Sequence, residues 1–121
     1  MIVITCIKPE TLRRILQRGE ATLELTSHQN VSAAEELRPG DIVFLARENE
    51  EDLRRGVEGI VVRVERVNVD YVRTDSPHED EWEKKRARIR VSFIKTAKVN
   101  QVARGRVLTA NVDTTDHFVI G

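Results

Sequence analysis

The chain opens on an almost unbroken apolar run, residues 2–7 (IVITCI), which predicts a buried strand. Pro9 suits the first turn of a helix, and Leu12, Ile15 and Leu16 then fall three and four apart to give one apolar stripe. Gly19 is the expected left-handed stop. From there the period changes to two: Ala21, Leu23 and Leu25 alternate with Thr22 and Glu24, the pattern of a half-buried strand. Ser32 and Glu35 have the spacing of a capping box for one helical turn, and Pro39-Gly40-Asp41 forces a tight turn. Residues 42–46 (IVFLA) read as a strand buried on both faces. Residues 49–55 read as a helical turn capped by Asn49 and stopped by Gly56.

The longest β-prone stretch, residues 60–72, changes phase along its length. Ile60, Val62 and Val64 are apolar at even positions, whereas Val67, Val69 and Tyr71 are apolar at odd ones. A period-two pattern switches faces only through a bulge or sharp bend, placed here near Glu65-Arg66. Residues 74–81 (TDSPHEDE) predict a surface loop. Residues 86–94 alternate, with Ala87, Ile89, Val91 and Phe93 on the apolar face and Arg86, Arg88, Arg90 and Ser92 on the other. A further strand is expected over 101–108, broken by Gly105, and a last one over 117–120. Helices near the N-terminal part followed mostly by strands predict an α+β fold, mixed but mainly antiparallel. It is expected to close into a β-barrel with two or three short helices, as one domain over residues 1–121.

Composition narrows the function classes. The 121 residues allow one modest core. With 40% hydrophobic and 33% charged residues, the chain is too apolar for disorder and too charged for a membrane protein. No apolar run approaches the roughly 20 residues of a membrane span, so no membrane partner is expected. The lone Cys6 reads as a small buried hydrophobe, which suits a reducing, cytoplasmic compartment, and no leader-like segment opens the chain. The 20 basic residues balance 20 acidic ones, so any attraction for a polyanion is local.

Such a local bias exists. Residues 81–110 hold nine basic residues against two acidic ones, an excess of seven. Arg86, Arg88 and Arg90 occupy alternate strand positions, about 6.6–6.8 Å apart, broadly the spacing of phosphates on an extended strand. Guanidinium groups grip phosphate oxygens in pairs. The competing reading is a solvated face whose arginines pair with acids elsewhere, and aromatic residues for base stacking are few. Trp82 serves either as a stacking platform or as a cover over the barrel end. His28, His78 and His117 are isolated, so no metal or other cofactor is expected. Cys6, set among apolar neighbours, is not expected to act as a nucleophile.

The stretch Ile7-Lys8-Pro9, then Leu12, Ile15-Leu16 and Gly19 through Thr26, resembles the opening of ASCH domains, whose second strand follows a glycine in the pattern G-x-K-x-x-E-x-R. Leu37-Arg38-Pro39-Gly40-Asp41 is similar to the turn that leads into a core strand of PUA-like barrels, and residues 59–64 are similar to the strand that follows. The resemblance covers about residues 2–72. The whole chain also resembles a small archaeal family known only as a domain of unknown function. Gly19 and Glu24 stand at the family's glycine and glutamate, but the lysine position is Ala21 and the arginine position is Thr26. Some ASCH-like proteins are amidohydrolases acting on acetylated cytidine, with a lysine and a threonine on this strand. Ala21 removes that lysine, which argues against catalysis and leaves no catalytic residue to name.

The resemblance implies a PUA-like cleft with Glu24 at its mouth. Arg47, just after the buried strand, is expected to reach the same cleft. The plain alternatives are an exposed strand glutamate and a surface arginine bridging to Glu48 or Glu50. The sequence thus points to a small binding module whose expected partner is RNA, held in a cleft between the first helix, the strand over 22–26 and the basic C-terminal strands, and by Glu24, Arg47, Arg86, Arg88 and Arg90. The alternatives are a nucleoside-modifying, amidohydrolase-like enzyme and a protein–protein or self-association domain that pairs through strand edges.

Overall fold

The computed structural model describes residues 1–74 and 82–116. The elements run β1 (Ile2–Ile4), α1 (Pro9–Arg18), β2 (Glu20–Leu25), α2 (His28–Glu35), β3 (Ile42–Leu45), a 3-10 turn (Glu50–Asp52), β4 (Glu58–Thr74), β5 (Trp82–Arg104) and β6 (Leu108–Thr114). They form a mixed sheet in the order β2-β5-β4-β3-β1-β6, and β6 pairs again with β5. β1 and β3 are parallel, and the other pairings are antiparallel. The fold is α+β.

The second pairing of β6 closes β5, β4, β3, β1 and β6 into a ring. Its interior is filled by Val3, Phe44, Ala46, Val61, Ala97, Val99, Leu108 and Ala110, with Leu53 of the segment after the 3-10 turn joining the same cluster. Sealing a side chain such as Phe44 from water contributes roughly 1.5–3 kcal/mol. Arg104 pins the plugging segment, donating to the carbonyls of Glu50 and Leu53 at 2.9 Å each. Beyond the ring, the outer part of β4 and the N-terminal part of β5 continue as a ladder to the pair Thr74–Trp82, and β2 adds to this part of β5. This three-stranded wing packs its apolar face, including Leu23, Ile89 and Val91, with Leu12 and Ile15 of α1 and Val31 and Ala34 of α2.

Two bulges interrupt the β4–β5 ladder. One lies between Val64 and Arg66, where Glu65 is the extra residue, at the place the phase change predicts. Its carboxylate accepts a hydrogen bond from Ser92 at 2.7 Å. The other falls between Val61 and Val62, where Ile94 of β5 is extra, because Val62 faces Phe93 and Val61 faces Lys95. That bulge turns β5 over. Before it Ala87, Ile89 and Val91 lie under the helices, and after it Ala97 and Val99 lie inside the ring.

Several expectations need correction. Phe93 does not join the apolar face: it and Ile94 sit at the turnover and are 37% and 43% exposed. Ile42 is 38% exposed, so residues 42–46 are not buried throughout. Residues 101–104 continue β5 and the break over 105–107 leads into β6, so there is no separate strand over 101–108. The second helix begins at His28 and not at Ser32. Its cap is Ser27, whose hydroxyl accepts the Asn30 N–H at 3.2 Å. Of the loop expected over 74–81, Thr74 instead ends β4 and the rest lies outside the described residues, as do the expected strand over 117–120, the side chain of Trp82, and His78 and His117. α1 matches its end signals, with Pro9 in its first turn and Gly19 in the left-handed conformation at φ 81°, but of its apolar stripe Leu12 and Ile15 are buried whereas Leu16 is exposed.

Candidate functional site

A cleft of about 440 Å³ opens between α1 and β2. One wall is the entry to α1 and its first turns, through Cys6, Ile7, Lys8, Thr11 and Arg14. The other is residues 22–26 of β2 and its exit, and Ser27 and Asn30 close one end.

The β2 wall lines the cleft with consecutive residues, although side chains of a strand alternate between faces. The ladder explains this. The Phe93 N–H donates to the Gly19 carbonyl at 2.7 Å, so in register the bonded pairs with β5 are Ala21–Val91, Leu23–Ile89 and Leu25–Ala87. The backbone N–H and C=O of Thr22 and Glu24 therefore point away from β5. Among the described residues β2 is an end strand of the sheet order, and the edge left unpaired there is what the cleft exposes. Side chains at 21, 23 and 25 are buried, whereas Thr22 and Glu24 are exposed.

The opposite wall depends on a turn hidden in the first apolar run. Cys6 has φ 57°, a left-handed conformation uncommon for a residue with a Cβ. Its side chain is exposed and lines the cleft, which corrects the expectation of a buried hydrophobe. Thr5 is buried instead. Asn30 holds it like a second strand: the Thr5 N–H donates to Asn30 Oδ1 at 3.0 Å, and Asn30 Nδ2 donates to the Thr5 carbonyl at 2.8 Å. The Cys6 N–H donates to the Glu48 carbonyl at 2.9 Å and the Ile7 N–H to the Ala46 carbonyl at 3.0 Å. These bonds turn the chain out of the sheet and present Lys8 at the start of α1. Nothing in the local pattern marks this turn, because only Thr5 interrupts the apolar run.

Of the residues expected at the site, Glu24 lines the cleft. Arg88 is directly opposite Glu24 in the β2–β5 register, and their side chains pair at 3.2 Å. Arg90 pairs with Glu20 at 2.6 Å. Arg86 stands opposite Asp70 of β4, on the same outer face. Arg66 and Asn68 lie opposite Arg90 and Arg88, so the row is part of a mixed-charge face. Arg47 is not among the cleft-lining residues; its Nε lies 3.8 Å from Glu48, whose carboxyl is pushed above its ordinary range by burial, against the pull of its own backbone hydrogen bond and Arg47. Lys8 and Arg14, the cleft's two cationic side chains, are the functional candidates that pattern reading missed. Arg14 falls on the polar side of the α1 stripe, where it looks like any solvated residue.

The wing is also fastened to α2. Lys85 reaches Glu35 at 3.3 Å and lies 5.5 Å from the centre of the Tyr71 ring. Its hydrogen bond to the Glu35 carboxylate, reinforced by that charge and by Tyr71, raises its pKa above the ordinary lysine value. Among the described residues no group of three or more histidine, cysteine, aspartate or glutamate side chains is placed to hold a metal ion, and no helix is long and apolar enough to cross a membrane.

Ring, wing and cleft define a small α+β domain built on a mixed sheet. The chain belongs to the family described as "Protein of unknown function (DUF473)", whose sequence model matches residues 1–112, from the start of the chain into β6. No curated protein and no solved structure matches it.

Proposed function

We propose that the domain is an RNA-binding module of PUA-like architecture, with one nucleotide of the ligand in the α1–β2 cleft and its neighbours along the arginine row. The observation that carries this reading is the cleft itself. It sets Lys8 and Arg14 across from the free hydrogen-bonding edge of β2, and Arg88 stands behind that edge, paired with Glu24. Cations serve phosphates, and unpaired N–H and C=O groups serve the donors and acceptors of an unstacked base. The closed ring and the Pro39-Gly40-Asp41 turn support the PUA-like assignment: the Gly40 N–H donates to the Val64 carbonyl at 2.7 Å and so ties the turn to β4.

The hydrolase alternative lacks support at the lysine position, because Ala21 is buried against the core and faces away from the cleft. The free edge of β2 favours a second reading, in which a partner's strand extends the wing.

Fluorescence anisotropy of labelled single-stranded RNA, duplex RNA and DNA, titrated at several salt concentrations, tests the proposal. The expected result is salt-sensitive binding that prefers single-stranded RNA. Lys8→Ala with Arg14→Ala should reduce the salt slope by about 1.4, from about 0.7 per lost phosphate contact. Absence of binding at low salt would overturn the RNA reading and leave the edge-pairing one.

A further inference from the structure

The cleft and the arginine row meet at β2, and acids mediate the meeting. Glu24 holds Arg88 at 3.2 Å, and Glu20 reaches diagonally to Arg90 at 2.6 Å. Thr22, not Glu20, is Arg90's direct neighbour in the register. Both guanidinium groups thus reach from β5 to carboxylates on β2, the strand that walls the cleft. Glu24 is the one acidic residue among the described residues lining that cleft, which Lys8 and Arg14 also line.

These pairs are open to exchange. The side chains are 49% and 69% exposed for Arg88 and Glu24, and 44% and 57% for Arg90 and Glu20. An exposed pair of this kind is worth at most about a five-fold factor in an equilibrium. Were the pairs buried, removing a carboxylate from its arginine would strand a desolvated charge, and exchange would be prohibitive. Here the released carboxylate simply returns to water. A phosphate brings oxygens that a guanidinium binds in pairs, so it competes for the same positions.

We infer that Glu20 and Glu24 are resident competitors for the ligand's phosphates: they occupy Arg90 and Arg88 in the free protein, and an RNA strand must exchange with them. This rests on the RNA reading of the cleft and adds a selection rule to it. A ligand with several consecutive phosphates displaces both carboxylates, whereas a mononucleotide reaches at most one arginine. The acids therefore favour a strand over its monomers and suppress adventitious binding of small anions.

The test is a double-mutant cycle read by anisotropy with a labelled single-stranded RNA decamer at fixed low salt. Glu20→Gln with Glu24→Gln should bind about 3- to 20-fold tighter than the wild type. In a background of Arg88→Gln with Arg90→Gln, the same two glutamate substitutions should change affinity by less than about 2-fold, because the arginines they release are gone. An equal gain in both backgrounds means a general charge effect, and no gain in the wild-type background means no competition. Either result overturns the inference while leaving the RNA reading intact. If neither the wild type nor any variant binds the decamer, the RNA reading itself falls, and this inference with it. Coincident thermal melts of the four proteins establish that all are folded.

Discussion

The two ends of β5 live in different structures. Its C-terminal part lies between β4 and β6 in a closed ring whose strands have no free edge and whose interior is packed with apolar side chains. Its N-terminal part lies between β4 and β2 in an open wing, and there, among the described residues, the sheet stops at a strand with one unpaired side. The ring spends its hydrogen bonds internally. The wing leaves the Thr22 and Glu24 backbone groups over and shelters them in a cleft. The difference teaches where to look for activity: a closed sheet stabilises, and an interrupted one has bonding capacity to offer.

The largest expected effect comes from disturbing the ring. A Cβ at Gly59 would meet the Leu45 carbonyl oxygen and lie 2.5 Å from Cζ of the Phe44 ring, both buried. Gly59→Ala should cost about 3 kcal/mol, read as a lower urea midpoint with unchanged slope. If the cost is small, the ring is looser than its packing implies. Next is the joint between ring and cleft. Asn30→Leu strands the buried Thr5 N–H and carbonyl and should cost about 2 kcal/mol by thermal melting, with loss of RNA binding if Cys6 and Lys8 move. Binding unchanged after such a loss of stability would separate the cleft wall from the Asn30–Thr5 bonds.

The smallest effect concerns Glu48, which receives the Cys6 N–H through its backbone. Burial raises its carboxyl pKa in the folded state, so the ionised form carries a cost at pH above the raised value. That cost disappears as pH falls through it. Glu48→Gln should therefore melt slightly higher than wild type near neutral pH and lose the advantage in acid. The opposite trend would mean that the nearby Arg47 outweighs burial.

Much of the scaffold was legible because its signals are local. Pro9, the apolar stripe and Gly19 bound α1, and the apolar phase change located the Glu65 bulge. The Ile94 bulge was not legible, because Phe93 and Ile94 are both apolar and either fits the alternation. The start of α2 was obscured by Asn30, a buried polar residue whose partner, Thr5, is 25 positions away. Both walls of the cleft, the first helix and the strand over 22–26, were expected, but a site residue was named on the strand wall only. Strand alternation marked β2 and the resemblance to ASCH domains pointed to Glu24, while the Cys6 turn and the contribution of Arg14 depend on long-range hydrogen bonds and on where α1 packs. The arginine row was visible as a row. Its pairing with Glu20 and Glu24 needed the β2–β5 register, which no short-range pattern encodes.

The bulges give the sheet an arithmetic. In β4, even-numbered residues face the helices up to Val64 and odd-numbered ones do so after Glu65. In β5, odd-numbered residues face the helices up to Val91, and odd-numbered Ala97 and Val99 face the ring interior beyond Ile94. Parity, rather than distance along the chain, decides which residues are dry. Two residues could be gained or lost in an arm of the wing with its faces preserved. A single one, or the removal of Ile94 alone, would set the wing's inward side chains against the ring's, so that burying Ala97 and Val99 would turn Ile89 and Val91 to water and bring the arginines inward.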